Sequence, residues 1–313
     1  MERKELLGWN DTTLSQPIDD AVEAQIAKSA LSLKVIPLAM GTYANGETVP
    51  AEKLVPSPDG LTIDQTASPN NLSQILASFA IRQMLVKDEA TSPIIANVAI
   101  STATAAAQGM DSLVLNGASA LTPNAQSQFV FSQLPQYTNI LQVIRPPLDN
   151  GLLLNPTQSV PVPLLDVATP DIYGINLVRA VAQALGIVQQ QGFYHEYRII
   201  LPTLAFADSI TAIDGTTVIP ADMMKWIVTE TDAKTNKATV HYYGSGLLPP
   251  KIGVFFSISG GSMDLVQGPD QGPTVQVLPE KNSLNGNIWP FVLKQTFALR
   301  VKQPQAIVQL KFQ

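Results

Sequence analysis

Between Glu89 and Asp111 the chain carries no charged residue at all. A helix without charge on any face has to be enclosed, either by protein or by lipid. The run contains Asn97, Ser101, Thr102, Thr104 and Gln108 and leans on Ala rather than Leu. A membrane-spanning helix wants about 20 strongly apolar residues, so enclosure by protein is the expectation and a membrane is not. Ser92-Pro93 supplies a cap and a proline at the start, and Gly117 follows Asn116 as a stop. A helix over 92–116 would be roughly 35 Å long, and its Ala and Thr content implies close packing against neighbours.

Low charge extends to the whole chain. Charged residues are 14% of the 313, against about 25% in ordinary soluble domains. Such a chain hides much of its surface, and interface cores are depleted of charge in this way. The net charge is −6 and no Lys/Arg run exceeds two residues, so the basic patch of a duplex-binding protein is missing and direct binding of nucleic acid is not expected. There is no cysteine, which excludes disulfides, thiolate chemistry and cysteine-rich zinc sites and suits a cytoplasmic home. The start, Met1-Glu-Arg-Lys-Glu5, has no apolar signal core.

The pattern predicts an amphipathic helix over 16–33. Ile18, Ala21, Val22, Gln25, Ile26 and Ser29 share a face, Ser15 is the candidate N-cap, and Asp19 and Asp20 suit the first turn. Trp9 sits upstream on a short arm. Residues 33–38 read as a strand. Residues 41–73, with Gly41, Gly46, Pro50, Pro56, Pro58, Gly60 and Pro69, read as a long extended loop or hairpin serving a partner surface. Residues 74–87 run apolar and end at Lys87-Asp-Glu89. Residues 118–170 read as loops and short strands. A helix over 172–191 presents Ile175, Val178, Val181, Ala182, Leu185 and Val188, and Gly192 follows. A buried strand runs from Tyr197 to Leu201, helices follow over 203–213 and 220–229, and 252–258, 263–267, 274–278 and 289–313 are mostly strand. The class is α+β.

No motif assembles an active centre. His195 and His241 lack zinc-ligand spacing. Ser245, His241 and Asp264 could be imagined as a triad, but no Gly-x-Ser-x-Gly elbow accompanies them. Gly244-Ser-Gly246 and Gly260-Gly261 match no phosphate-binding motif, and Asp19-Asp20 and Asp88-Glu89 suit helix ends. No cofactor or metal is implied.

Several segments occur in a distinctive order. Leu6-Leu-Gly-Trp9-Asn comes before Ile18-Asp-Asp-Ala-Val22, then Lys34-Val-Ile-Pro-Leu38. Met110-Asp-Ser-Leu-Val-Leu-Asn-Gly117 closes the long helix, and Gln191-Gly-Phe-Tyr-His-Glu-Tyr197 leads to Leu201-Pro202. Ser259-Gly-Gly-Ser-Met-Asp264-Leu and Phe297-Ala-Leu-Arg300-Val-Lys302-Gln-Pro304-Gln-Ala306-Ile lie near the end. Over nearly its whole length the chain resembles the encapsulin shell proteins (family 1, linocin-like), which use the tailed-phage major capsid fold of the Hong Kong 97 type. The chain departs from the family pattern in places: His195-Glu196 occupies a position where the family often has Gly-Pro, and 118–165 is longer than in many members. Arg82-Gln-Met-Leu85 lacks the aromatic of the members proposed to stack a flavin.

The resemblance implies an arm, helix and first strand of the peripheral domain over 1–40. The extended loop follows over 41–73, a peripheral domain with the spine helix over 74–150, and an axial domain over 151–280. C-terminal strands over 281–313 return to the peripheral domain. The implied partner is the chain itself, in an icosahedral homo-oligomer of about 60 copies, with about 180 or about 240 as larger forms. A second partner is a cargo enzyme, peroxidase or ferritin-like, held by a terminal targeting peptide. Ile18, Val22, Ile26, Val35 and Ile36 are the matching cargo-binding positions, ordinary core packing being the other reading of the same residues. Gln190, Gln191, Gly192, Phe193, Tyr194, His195 and Glu196 are the matching pore positions, with a plain surface turn as the alternative. Other classes remain: a phage or prophage major capsid protein packaging DNA, and a secreted peptidase or bacteriocin, a label long attached to the family, against which the missing signal and triad argue.

Overall fold

The computed structural model describes residues 12–39, 48–50, 52, 54–57, 60–63, 69–82, 94–124, 128–147, 151–154, 156, 158–166, 168, 172–213, 215–230, 241–268, 272–277 and 288–313. Two sheets and one long helix organise it. The helix, α3 (Ile94–Asn116), is preceded by α1 (Thr12–Ser29) and the short α2 (Ser32–Val35). From Gly109 to Asn116 every residue of α3 is buried, which is why the sequence tolerates no solvating charge there except Asp111. The helix stops where Gly117 takes φ 58°, a conformation that favours glycine.

The first sheet has seven strands: β13 (Met263–Gln267), β15 (Ile288–Val301), β5 (Ser73–Arg82), β8 (Leu141–Arg145), β7 (Phe129–Phe131) and β6 (Leu121–Pro123) in that order, with β14 (Thr274–Val277) also on β15. β5 and β15 form its spine in a ten-pair antiparallel register from Arg82↔Ile288 to Ser73↔Phe297. Alternation sends Ile75, Ala77, Phe291, Leu293 and Phe297 into the core beneath α3. Contact is close: a Cβ at Gly109 would lie 3.1 Å from the Phe131 ring and 3.3 Å from Ile75 and Leu141.

The second sheet has the order β11 (His241–Ser245), β10 (Tyr197–Pro202), β12 (Ile252–Ser257), β16 (Ile307–Phe312) and β9 (Gln158–Val162). The β10–β11 and β16–β9 pairs are parallel and the other two antiparallel. One face packs Ile199, Leu201, Phe255, Val308 and Leu310 against α5 (Ile175–Gln190) and α7 (Pro220–Glu230). The other face gives Ile200, Val254, Phe256 and Ile307 to the core that holds α3 and the one-turn α4 (Gly151–Leu154). One apolar core therefore runs under both sheets. A further helix, α6 (Thr203–Ser209), follows β10. Its Asp208 carboxylate accepts the Tyr173 and Gly174 N–H groups at 2.9 Å each, serving the open N-terminus of α5.

Several expectations change. Residues 32–35 are helical, not a strand, and pairing begins only with the Leu38–Leu265 bridge. The reason is tertiary. Asp111, buried at the end of α3, accepts the Leu31 N–H at 2.8 Å and the Ser32 N–H at 2.7 Å; two satisfied N-terminal donors stabilise a helical turn that Val35 and Ile36 alone would not choose. Burial pushes the Asp111 carboxyl above its usual range, against the pull of Ser32 and Leu31. The first helix starts by Thr12, so Ser15 is not its cap, and Asp19 instead accepts the Val275 N–H of β14 at 2.8 Å. The last strands part company: β15 joins the seven-stranded sheet, but β16 pairs with β12 and β9 in the other. Trp9, Lys87-Asp88-Glu89 and Ser92-Pro93 lie outside the described residues.

Candidate shell-forming surfaces

Three features have the makings of contacts with other molecules: the segment leading to β5, the face of the seven-stranded sheet turned away from α3, and the turn after α5. In the first, β1 (Thr48–Val49) pairs with β4 (Asn70–Asn71), and β2 (Leu54–Ser57) forms a hairpin with β3 (Gly60–Ile63). Among the described residues the β2–β3 ribbon pairs with no other strand, and Ile63 is 55% exposed. A two-stranded ribbon of this size is marginal in water by itself.

The ribbon is fastened at its root. The Leu54 N–H donates to the Lys302 carbonyl at 2.9 Å. Beside it, Arg300 on β15 makes a two-pronged pair with Asp264 on β13, both bonds 2.7 Å, and reaches Glu52 at 2.6 Å. Lys302 contacts Glu52 and Asp264 at 2.9 Å each. Burial alone would raise the Glu52 carboxyl, but Lys302 and Arg300 outweigh it and hold Glu52 below its ordinary range. Burial alone would likewise lower Lys302, and Glu52 and Asp264 hold it raised. This network explains why Arg300 can be buried in the sheet. Motif reading placed Arg300 and Lys302 near the chain end and Asp264 in a candidate triad. The pairing with Glu52 needed the fold.

The seven-stranded sheet turns one face to α3. On the other face, the β1–β4 ribbon covers one end, where Val49 and Leu72 pack on Val266 and Ala298. Elsewhere that face leaves Ser78, Ala80, Ile144 and Ile288 exposed and Leu76 half-buried. The two isoleucines are 44% and 49% exposed.

The turn after α5 is built rigidly. The Gly192 N–H donates to Gln189 O at 2.9 Å and the Phe193 N–H to Val188 O at 3.2 Å, the two-bond helix ending that wants a left-handed residue between them; Gly192 supplies it at φ 90°. Phe193 is buried, and its carbonyl accepts the Tyr197 hydroxyl at 3.0 Å. Ser257 donates to the His195 carbonyl at 2.6 Å and the Ile258 N–H to the Glu196 carbonyl at 3.1 Å. Glu196 itself sits at φ 55°. Gln190, Gln191, Tyr194, His195 and Glu196 point outward on this pinned tip.

The five cargo positions behave differently. Ile18, Val22, Ile26, Val35 and Ile36 are 7%, 0%, 2%, 1% and 2% exposed and belong to the core against α3. Their spacing of four in α1 is a core stripe continued by Ala30. In the single chain these side chains are core, and a peptide reaching them would have to displace part of the α1–α3 contact.

No triad forms from Ser245, His241 and Asp264. His241 and Ser245 lie on β11 in the five-stranded sheet, His241 stacking on Tyr243, while Asp264 is engaged by Arg300 in the other sheet. Burial and the Arg198 charge hold His241 below its usual range. Among the described residues no cluster of metal-binding side chains occurs, and no helix is long and apolar enough to cross a membrane.

A long spine helix laid on an antiparallel sheet, a hairpin segment rooted beside it and a second α/β layer beyond define the phage-type major capsid fold. No protein-family model matches the chain, and no curated protein does. Solved structures do. A virus-like particle from Pyrococcus furiosus superposes with TM-score 0.61 at 14% identity, over 95% of this chain and 98% of that one. The capsid of Myoviridae phage XM1 gives 0.52 at 15% identity, over 91% and 92%. The capsid of an empty GTA particle gives 0.51 at 13% identity, over 91% and 90%. At such identities the likeness shows the fold.

Proposed function

We propose that the chain is the shell subunit of an encapsulin-type compartment, assembling with copies of itself into a closed particle that encloses a cargo enzyme. The observation that carries this reading is a complementary pair on one chain. A β2–β3 ribbon with no other strand partner among the described residues is rooted beside a sheet whose far face, away from the β1–β4 ribbon, leaves Ala80, Ile144 and Ile288 exposed. Copies that lay the ribbon of one on the sheet of the next remove both liabilities at once. The fold shared with particle-forming proteins and the low charge support the same conclusion.

The pinned tip Gln190–Glu196 is the pore edge in this reading, admitting small polar solutes past Gln191, Tyr194 and His195. Cargo enters through a terminal peptide, which must dock on the surface around α1 and not in its buried stripe. The alternative, a phage or prophage capsid packaging DNA, draws equal support from the fold.

The experiment is purification of the whole chain, light scattering and electron microscopy, with nuclease-protected DNA and co-purified protein measured on the same sample. Uniform hollow particles free of DNA and holding a co-purified enzyme are expected. A monomer or small oligomer at micromolar concentration and physiological salt overturns the shell reading, and DNA-filled particles turn it to the phage alternative.

A further inference from the structure

The two sheets meet at the C-terminal end of α3, and one side chain there is bonded to both sides. Asn116 is 4% exposed. Its amide nitrogen carries two N–H groups and lies within hydrogen-bond range of three acceptors: the Leu247 carbonyl at 3.0 Å, the Ser112 carbonyl at 3.2 Å and the Gln133 side-chain oxygen at 3.3 Å. Leu247 lies between β11 and β12 of the five-stranded sheet, and Gln133 follows β7 of the seven-stranded sheet. Ser112 is one turn back on α3. The next residue is Gly117 at φ 58°, and Gly151 of α4 is pressed against it, a Cβ there falling 2.3 Å from Gly117 N. On the other side of the joint, Gln309 on β16 donates to the Leu153 carbonyl of α4 at 3.2 Å.

The remainder of the joint is apolar: Leu152, Leu153 and Leu248 with Ile200, Val254, Phe256 and Ile307. Apolar contact is non-directional, so such a surface holds two layers together but tolerates small rotations between them. Hydrogen bonds weaken steeply with misalignment. A buried amide bonded to acceptors from both sides therefore favours one angle, and the Gln309–Leu153 bond adds to it. Rotation large enough to misalign the Leu247 bond would cost the buried Asn116 amide one of its partners.

We propose that Asn116 is a positioning residue that sets the angle between the two sheets and, through it, the curvature and diameter of the particle. This rests on the shell reading, because an angle repeated in every copy of a closed assembly becomes a particle size.

The test compares wild type with Asn116→Ala, Asn116→Ser and Gln133→Ala, the last at an exposed position where folding is not at risk. Diameters are measured by electron microscopy and masses by analytical ultracentrifugation, with circular dichroism confirming folded chains. The expected result is a shifted mean diameter or a second size class for the Asn116 variants, and a broadened distribution for Gln133→Ala. Folded Asn116 variants that build particles with the wild-type distribution overturn the proposal. If they do not fold, an unchanged distribution for Gln133→Ala overturns it. Wild type that forms no particle sinks the shell reading itself, so the two failures are told apart by the first sample.

Discussion

Arg300→Ala tests the root of the β2–β3 ribbon. The guanidinium is 5% exposed and is held by both Asp264 oxygens and by Glu52. Truncation leaves two carboxylates facing one ammonium, that of Lys302. Removing one partner of a buried ion pair costs about 3–5 kcal/mol, mostly because the remaining charge stays buried. Glu52 is a third exposed, so its arm is screened and worth no more than about 1 kcal/mol. The loss thus belongs mainly to Asp264. In a chain of this size about 1 kcal/mol moves the melting point by on the order of 2 °C, so a drop of roughly 6–10 °C is expected. It should be followed by calorimetry at one protein concentration, since association adds its own stability. The double change Arg300→Met with Asp264→Leu removes both charges and should recover most of the loss, because an apolar pair of similar volume can replace a buried ion pair. Arg300→Ala melting within about 1 °C of wild type, or a double variant as unstable as the single one, would refute the reasoning.

Acid should loosen the same root. The folded Glu52 value lies below the unfolded one near 4.5, so its stabilisation is present above that value and is lost as pH falls through the lower, folded one; Glu52→Gln should flatten this limb of a stability–pH curve. Gly151→Ala should destabilise by about 2–5 kcal/mol, from left-handed strain and overpacking against Gly117 and Leu115, read from denaturant midpoints. Gly186→Ala, in α5 with nothing within 4 Å of its Cβ, should instead gain about 0.5–1 kcal/mol. Val22→Asp places a carboxylate at a 0% exposed site and should abolish folding and particle formation together on gel filtration; soluble particles that lack only their cargo would restore the docking-pocket reading.

Some of this was legible in the residues because it depends on neighbours along the chain. An uncharged run of more than 20 positions has to be largely enclosed; α3 is fully buried from Gly109 to Asn116 and leaves Asn97 and Ser101 exposed nearer its start. Helix ends at Gly117 and Gly192 follow from the backbone freedom of glycine, and both are where they were expected. The i, i+4 stripe of α1 and the continuous apolar runs of β10 and β12 are equally local. The stripe told which side of α1 is apolar but not what covers it. A peptide pocket and a packed core ask for the same residues, and only the tertiary structure, by laying α1 on α3, assigned them to the core.

Other features depend on residues far apart in the chain. Val35 and Ile36 favour a strand by propensity, yet Asp111, some 80 positions away, captures two N–H groups and makes the segment helical. Glu52 meets Arg300 and Asp264 only because β13 and β15 are adjacent. Asn116 reads as an ordinary last residue of a helix until Leu247 and Gln133 are brought to it. What the sequence by itself determined is the longer elements and their buried faces, α1, α3, α5 and the core strands among them, since periodicity and turn chemistry are properties of short stretches. Which sheet each strand joins, which carboxylate meets which cation and where a surface remains open were decided by the tertiary structure, because those energies arise only between segments that the fold makes neighbours.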